Sequence, residues 1–344
     1  MTKSMIFSPL GVRMAVGLVA PFLSDGGKAE VEKVWGVSPD DLYAEANGVV
    51  DRLAAIPALH AAVAVWSRLA LDSAAQDRLG DLLRHLPESN AEAQDALNRW
   101  TSESTLGLIE KAPVQVREDT DTVLASALAM DDEWAQGPYK ERRVRFSPQG
   151  EAPQDLDGFS VPVNANNPET TLGTLHEGQT VVLTMPLSDE VSMTFALHED
   201  GPEKALEHLR DGGEVGPLRT DHPLVSLISA PGWADFLAVI PEFKTITQTA
   251  LLADASRWGL VNASHPDEGA PGMHPDMFVM DAQQTAMIEV SRTGVKAAAV
   301  TMMLAGRSAA VPSSTPAVVF DKPFAYAITL PGLKAPLFEG IYAG

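Results

Sequence analysis

The character of the sequence changes near Gln179, and that change limits the architectures open to the chain. Before it, helical periodicity recurs over residues 9–23, 72–86 and 91–105. The first of these reads as a buried helix, with Pro9 in its first turn and Ser8 as the N-cap. Residues 61–71 and 122–130 are apolar runs that period alone leaves as either buried strands or short helices. After Gln179 the pattern is that of strands, over 180–187, 191–197, 236–240, 278–290, 324–330 and 336–342. Helices early and strands late predict an α+β fold with large, mostly antiparallel sheets.

One stretch fits neither pattern. Residues 293–316 are rich in Ala and Ser, follow one strand-like run and precede another. A loop this long inside a compact domain is usually functional. Its alternate positions Val295, Ala297, Ala299, Thr301, Met303 and Ala305 are all small or apolar, so all would face a core if the segment became a strand. No proline occurs between Thr293 and Val311, so no ladder donor is missing before Pro312.

Composition narrows the function. The 344 residues carry 46 acidic and 25 basic side chains, a formal charge of -21. Such a surface repels nucleic acid and anionic membranes. There is no cysteine, which excludes disulfides and thiolate chemistry. The apolar stretch 12–23 is short and broken by Arg13, Gly17 and Pro21, too interrupted to span a bilayer. Residues 1–10 show no signal peptide, and the expectation leans to the cytoplasm over secretion.

The C-terminal third carries a resemblance. The run Ile288-Glu289-Val290-Ser291-Arg292-Thr293-Gly294-Val295-Lys296-Ala297-Ala298-Ala299-Val300-Thr301 resembles the strand and hinge that lead into the reactive-centre loop of the serpins, a family of serine-protease inhibitors. Phe320-Asp321-Lys322-Pro323-Phe324 resembles the segment after that loop, and Leu337-Phe338-Glu339-Gly340 the closing strand. Ile240-Pro241-Glu242-Phe243 resembles another strand of the large sheet. Phe7-Ser8-Pro9-Leu10 resembles the start of the first buried helix, and residues 126–134 the central strand of the large sheet, ending in Trp134. These matches are collinear over nearly the whole chain.

The resemblance implies one domain over 1–344, with three β-sheets, eight or nine helices and an exposed reactive-centre loop at about 293–316. The family's first helix is not found ahead of Phe7. The implied activity is inhibition as a suicide substrate, with no catalytic residue, cofactor or metal of its own. The protease cuts the loop as bait, and the loop inserts into the large sheet with the acyl-enzyme attached. The hinge would be Gly294, Val295, Lys296, Ala297, Ala298, Ala299, Val300 and Thr301. Usual family spacing from Gly294 puts the cut at Ser308-Ala309, and a hinge one residue shorter puts it at Arg307-Ser308. Arg307-Ser308 is the preferred reading, because an Arg left at the loop tip avoids the cost of burial. The partner would be a trypsin-like protease, or an elastase-like or subtilisin-like one. A monomer is expected.

Departures from the family pattern bear on mechanism. The family's glutamate two positions before the hinge glycine is Arg292 here, and its lysine partner is Glu242, so a reversed salt bridge is expected beside Trp134. In the hydrogen-bonded cluster under the sheet, Ser8 matches a family serine, Gly11 replaces another, Ser126 replaces an asparagine and Gln284 replaces a histidine. Gln284 is expected to bond near Ser8 or Ser126, and it does not titrate. Val295 and Lys296 are unusual hinge residues, and they keep open a second reading, a non-inhibitory binding or chaperone-like serpin.

Other motifs carry less. No G-x-S-x-G elbow and no HExxH-type pair occurs among the 8 histidines. Lys140, Arg142, Arg143 and Arg145 read as a solvated strand edge more readily than as a polyanion site. Asn262-Ala263-Ser264 is a glycosylation triplet, meaningful only in a secreted protein.

Overall fold

The structure is a computed structural model that describes residues 2–164, 169–187, 190–231, 234–296 and 312–344. It opens with β1 (Met5–Phe7) and α1 (Pro9–Val19), which ends in a 3-10 turn over Ala20–Phe22. Ser8 is extended, and its hydroxyl accepts the Gly11 N–H, so one orphan donor of the helix is satisfied. Pro9 stands where no donor is needed. α2 (Asp25–Trp35) and α3 (Pro39–Ala54) begin the same way, with the Ser24 and Ser38 hydroxyls accepting from Gly27 and Asp41.

Next come β2 (Leu59–Ser67), α4 (Ser73–Leu79), β3 (Leu83–His85), α5 (Asn90–Ser104) and β4 (Thr122–Met130). The ambiguous run at 61–71 is therefore a strand, paired antiparallel with β4 from Leu59↔Met130 to Ser67↔Thr122. Its alternation of Ala and Val fits a pleated surface better than a helix face. The helix expected over 72–86 is only the short α4. Gly80 takes a positive φ of 50° and ends it, and the chain then forms a 3-10 turn and β3.

The strand-rich part contains β5 (Asp132–Glu133), β6 (Lys140–Phe146), β7 (Gln154–Val163), β8 (Thr171–Leu175), β9 (Thr180–Pro186) and β10 (Ser192–His198). After these come α6 (Pro202–Asp211), β11 (Gly216–Pro217), β12 (Val225–Pro231), β13 (Phe236–Pro241), β14 (Phe243–Ala250) and α7 (Ala255–Trp258). The chain closes with β15 (Gln283–Val290), β16 (Gly294–Lys296), β17 (Pro312–Val319), β18 (Phe324–Thr329) and β19 (Phe338–Tyr342). The strand expected over 278–290 is shorter, because Val279 N–H bonds to the Ala263 carbonyl of a loop instead of a ladder.

Among the described residues the ladders form sheets of seven strands (β1-β19-β18-β10-β9-β8-β11), five (β12-β17-β13-β7-β6), four (β14-β15-β16-β5) and three (β3-β2-β4). The class is α+β, as the pattern predicts. β4 closes the three-stranded ladder and β5, directly after it in sequence, closes the four-stranded one.

The chain forms two compact units. One comprises residues up to Ile6, Asp131–Ile246 and Met287–Gly344; the other comprises Phe7–Met130 and Thr247–Ala286. The core of the first is aromatic: Phe195, Phe320, Phe324 and Tyr326 are fully buried, and Phe243 stacks on Tyr342 at 4.7 Å. In the second, Trp66 packs edge-on to Trp100 among Leu97, Val123 and Ala127. Its α1 and α3 approach closely because Gly17 has no side chain. A Cβ there would lie 2.8 Å from Ala46 Cβ and 2.9 Å from the Leu42 carbonyl oxygen.

Candidate functional site

The described part of the expected hinge is a strand. β16 pairs antiparallel with β15 through Glu289↔Lys296 and Val290↔Val295, and with β5 through Gly294↔Glu133 and Val295↔Asp132. Its backbone is thus held on both edges, and Val295 is 2% exposed. Gly294 is required here by space. A Cβ would overlap the Asp132 carbonyl oxygen and lie 2.7 Å from Glu133 Cα, both backbone atoms. Ala297, Ala298, Ala299, Val300, Thr301 and both candidate bait bonds, Arg307-Ser308 and Ser308-Ala309, lie outside the described residues.

The turn between β15 and β16 is fixed at three successive carbonyls. Trp134 Nε1 donates to Ser291 O at 2.8 Å, Tyr139 N to Arg292 O at 2.9 Å, and Trp134 N to Thr293 O at 3.1 Å. The Trp134 ring is 3% exposed and packs against Tyr139, Phe159 and Phe195. Burial pushes the Tyr139 phenol above its ordinary value, with a Thr170 hydrogen bond acting against it.

Glu242 and Arg292, the residues of the expected charge pair, are in contact. Glu242 Oε1 accepts the Arg292 backbone N–H at 2.9 Å. That N–H lies in the turn, outside either ladder, and a carboxylate is a strong acceptor for such a donor. The ion pair nearby in the chain is Lys244 Nζ to Glu289 Oε2 at 3.2 Å. Sequence reasoning missed this pair, and the weak signal for Lys244 was its place two residues beyond Glu242 in the chain.

The second unit holds the small polar cluster. Gln284 grips the Ser8 backbone at both ends: Ser8 N–H donates to Gln284 Oε1 at 2.8 Å, and Gln284 Nε2 donates to Ser8 O at 2.9 Å. Ser126 Oγ donates to Gly11 O at 2.9 Å. Gly11 gives the cluster its room, since a Cβ would stand 3.0 Å from Ser8 Oγ and 3.1 Å from Gln284 Nε2. Ser8, Gly11, Ser126 and Gln284 are thus brought together, and none of them titrates near neutral pH.

Beside this cluster lies a cavity of about 80 Å³, with Val12, Val16, Trp100, Leu251 and Gln284 among its walls. Residues 123–128 of β4 all line it. Among the described residues β4 has a ladder partner only in β2, so its other edge borders this space.

Two remaining sequence features are accounted for locally. The basic residues of β6 lie at the edge of the five-stranded sheet, where Arg143 ion-pairs with Asp157 and Arg145 stands opposite Asp155. Asn262 Nδ2 is engaged by Glu30 Oε2 at 3.0 Å and Gly26 O at 3.3 Å, so its amide is occupied within the fold.

Comparison with known proteins agrees with this architecture. The family described as serpin (serine protease inhibitor) matches residues 1–343. Serpin-Z6C of rice (Oryza sativa subsp. japonica) is 27% identical over 276 residues, 72% of this chain and 64% of its own. Antithrombin-III of mouse is 26% identical over 235 residues, 64% of this chain and 47% of its own. The matched part is therefore less than two thirds of either relative's length. Among solved structures, the thermophilic serpin tengpin in its native state superposes with a TM-score of 0.77 at 17% identity, covering 100% of this chain and 89% of that one. Human thyroxine-binding globulin complexed with thyroxine gives 0.73 at 15% identity, covering 99% and 92%.

Proposed function

The chain belongs to the serpin family, and from that premise we propose that it inhibits serine endopeptidases as a suicide substrate. The protease serine attacks the carbonyl carbon of Arg307 or Ser308. An ester forms, and the amine of the next residue leaves. Insertion of the segment behind the hinge then removes the ester from reach of water. All covalent chemistry belongs to the protease, and this chain contributes bait, strand and acceptor.

The observation that carries the reading is the seating of Gly294–Lys296 as a strand between β15 and β5. Val295, unusual for a hinge, is accommodated there at 2% exposure. The residues behind it continue the alternation of small and apolar side chains. A strand from Val295 to Arg307 would span about 40 Å. Paired on both edges, it would gain on the order of 10 kcal/mol at about 1 kcal/mol per hydrogen bond. Slowing deacylation a million-fold requires about 8 kcal/mol. Loss of one oxyanion donor costs a factor of about 10²–10³, so displacing the oxyanion and the catalytic base together supplies that scale.

A second reading, a binding serpin whose loop is cut without trapping, is favoured by the cavity beside β4 and by the thyroxine complex on the same fold. Incubation with trypsin, and separately with subtilisin or an elastase, decides between them. A covalent adduct that survives denaturation, with intact mass placing the cut at 307-308 or 308-309, supports inhibition. Loop cleavage with active protease left over, and no gain in heat resistance of the cut chain, supports the second reading.

A further inference from the structure

Four of the chain's 8 histidines meet at one turn of the first unit, although 22, 10 and 14 residues separate them in sequence order. The turn joins β8 to β9. His176 and Glu177 hold positive φ values of 49° and 58° there, a left-handed geometry unusual for residues with side chains. It lays the His176 ring on that of His208, centroids 3.9 Å apart, and His198 meets His208 edge-on at 5.2 Å. His208 Nδ1 is 2.6 Å from Thr180 Oγ1 on β9. His222 Nε2 lies 2.8 Å from Gly178 O of the same turn.

The hydrogen bonds call for neutral rings. Asp200 N–H donates to His198 Nδ1 at 2.9 Å, and Leu224 N–H donates to His222 Nδ1 at 3.1 Å. An imidazolium carries a proton at Nδ1 and accepts nothing there. His198 and His208 are only 6% and 4% exposed, and His176 Nε2 and His198 Nε2 are buried without a partner. A proton on His208 places a charge against the rings of both His176 and His198 in a poorly hydrated site.

The surrounding charges give little compensation. On α6 they are Glu203, Lys204, Glu207, His208, Arg210 and Asp211, with Lys204 Nζ paired to Glu207 and Arg210 paired to Glu339 of β19. The β10–α6 turn adds Glu199 and Asp200. Asp200 Oδ2 is 3.8 Å from His198 Nδ1, but its side chain is 85% exposed, so its effect is screened. The β8–β9 turn adds Glu177, and the segment before β12 adds an Arg219–Asp221 pair in solvent. β9 brings no titratable side chain, and β18 brings Tyr326, whose hydroxyl donates to Met5 O.

We propose that His176, His198, His208 and His222 form a proton-operated latch, which when neutral holds α6 and the segment leading into β12 on the seven-stranded sheet and on acidification releases both. Ala205 and Leu206 of α6 pack on an apolar patch of Leu175, Val182, Ala196, Ala325 and Ile341, so release of the helix exposes that patch. β12 pairs with β17, the strand that resumes the chain after the reactive-centre segment, so the effect reaches that segment's C-terminal anchor. Burial first, then the charges of His176, Lys204 and His198, hold the His208 value below its ordinary 6.5, with Glu207 acting against them. A lowered value gives stabilisation that is complete above about 6.5 and is lost as the pH falls below it.

The latch is independent of the inhibitor reading, and its test uses no protease. Hydrogen exchange of peptides covering α6 and the β8–β9 turn is compared at pH 7.5 and 5.5, after correction for intrinsic rates. Each proton excluded from the latched state shifts the opening equilibrium about tenfold over that interval, so four shift it about ten-thousandfold. In the double variant His198→Asn and His222→Asn, Oδ1 still accepts the Asp200 and Leu224 N–H groups but nothing titrates, and the response shrinks by about a hundredfold. Nitrogen chemical shifts of the imidazoles in the unmodified protein give a second measurement, should that variant fail to fold. Nε2–H tautomers for His198 and His222 at pH 7.5, and a His208 that protonates at lower pH than an exposed histidine, are the expected result. Four rings titrating near 6.5 with unchanged α6 exchange overturn the latch, as does a pH response that the double variant leaves intact.

Discussion

Replacing Gly294 by alanine tests whether the seated hinge depends on backbone proximity. The added Cβ would overlap the Asp132 carbonyl oxygen and lie 2.7 Å from Glu133 Cα. Neither atom belongs to a side chain that swings away, so β16 and β5 must separate. Ordinary van der Waals contact begins near 3.4 Å, and a shift of about 1 Å is enough to break a hydrogen bond of normal length. Loss of the β5 edge removes about two bonds worth about 1 kcal/mol each. Exposing Val295, now 2% accessible, costs about 1.5–3 kcal/mol more. The opposing gain from a stiffer unfolded chain is about 0.4–1 kcal/mol. The sum is on the order of 4 kcal/mol against the seated state, about a thousandfold in its population. Hydrogen exchange of a peptide covering 291–296 reads this directly as lost protection at the Val295 amide. Val295→Thr, which keeps the shape and exchanges a buried methyl for a hydroxyl, is the control: it costs about 1–3 kcal/mol without forcing β16 from β5, and changes protection less. If Gly294→Ala retains protection within threefold of the parent, steric closeness to β5 is not what holds the hinge, and the argument fails.

Other substitutions probe the surroundings. Gln284→Ala removes the two bonds that Gln284 makes to the Ser8 N–H and C=O, while the carbonyl keeps its bond from Val12 N–H, and denaturant titration should show a loss of about 1–3 kcal/mol. Gly17→Ala gains about 1 kcal/mol of helix propensity but drives a methyl into Ala46 and the Leu42 carbonyl. The net result is a lower midpoint of thermal unfolding, and a rise would show that α1 and α3 separate cheaply. Glu242→Ala removes a charge-assisted bond to the Arg292 backbone, costing about 1.5–3 kcal/mol. Arg292→Ala keeps the backbone donor, so hydrogen exchange should find the residue-292 amide still protected in that variant and unprotected in Glu242→Ala; loss of protection in the first alone would refute the backbone assignment.

The parts of this fold that sequence made legible are those with local causes. Ser8 and Pro9 announce the start of α1 because capping is settled within one turn. The Gln284 contact was foreseen from its place in a family pattern, and the structure puts it on the Ser8 backbone at both ends. What escaped depends on partners far away in the chain. α2 buries little more than Gly27 and Val31, so it has almost no apolar stripe to read. β12 is an uncharged run whose identity as a strand comes from β17, which lies far downstream. The Arg292–Glu242 expectation was framed in side-chain charge and did not include the backbone donor that the turn offers to the same carboxylate. The histidines looked scattered because nothing in their spacing is periodic, and only the pairing of β8, β9 and β10 brings them to one place.

The position of β17 has a practical consequence. It lies inside its sheet, antiparallel to β12 on one side and parallel to β13 on the other, and β18 is likewise enclosed by β10 and β19. A chain severed anywhere between Lys296 and Pro312 would therefore remain a single particle. Everything from Pro312 onward stays woven into two sheets without a covalent tie to the rest. Gel filtration or light scattering in native buffer would register no change in mass, and the two fragments would part only when denaturant dissolves the ladders.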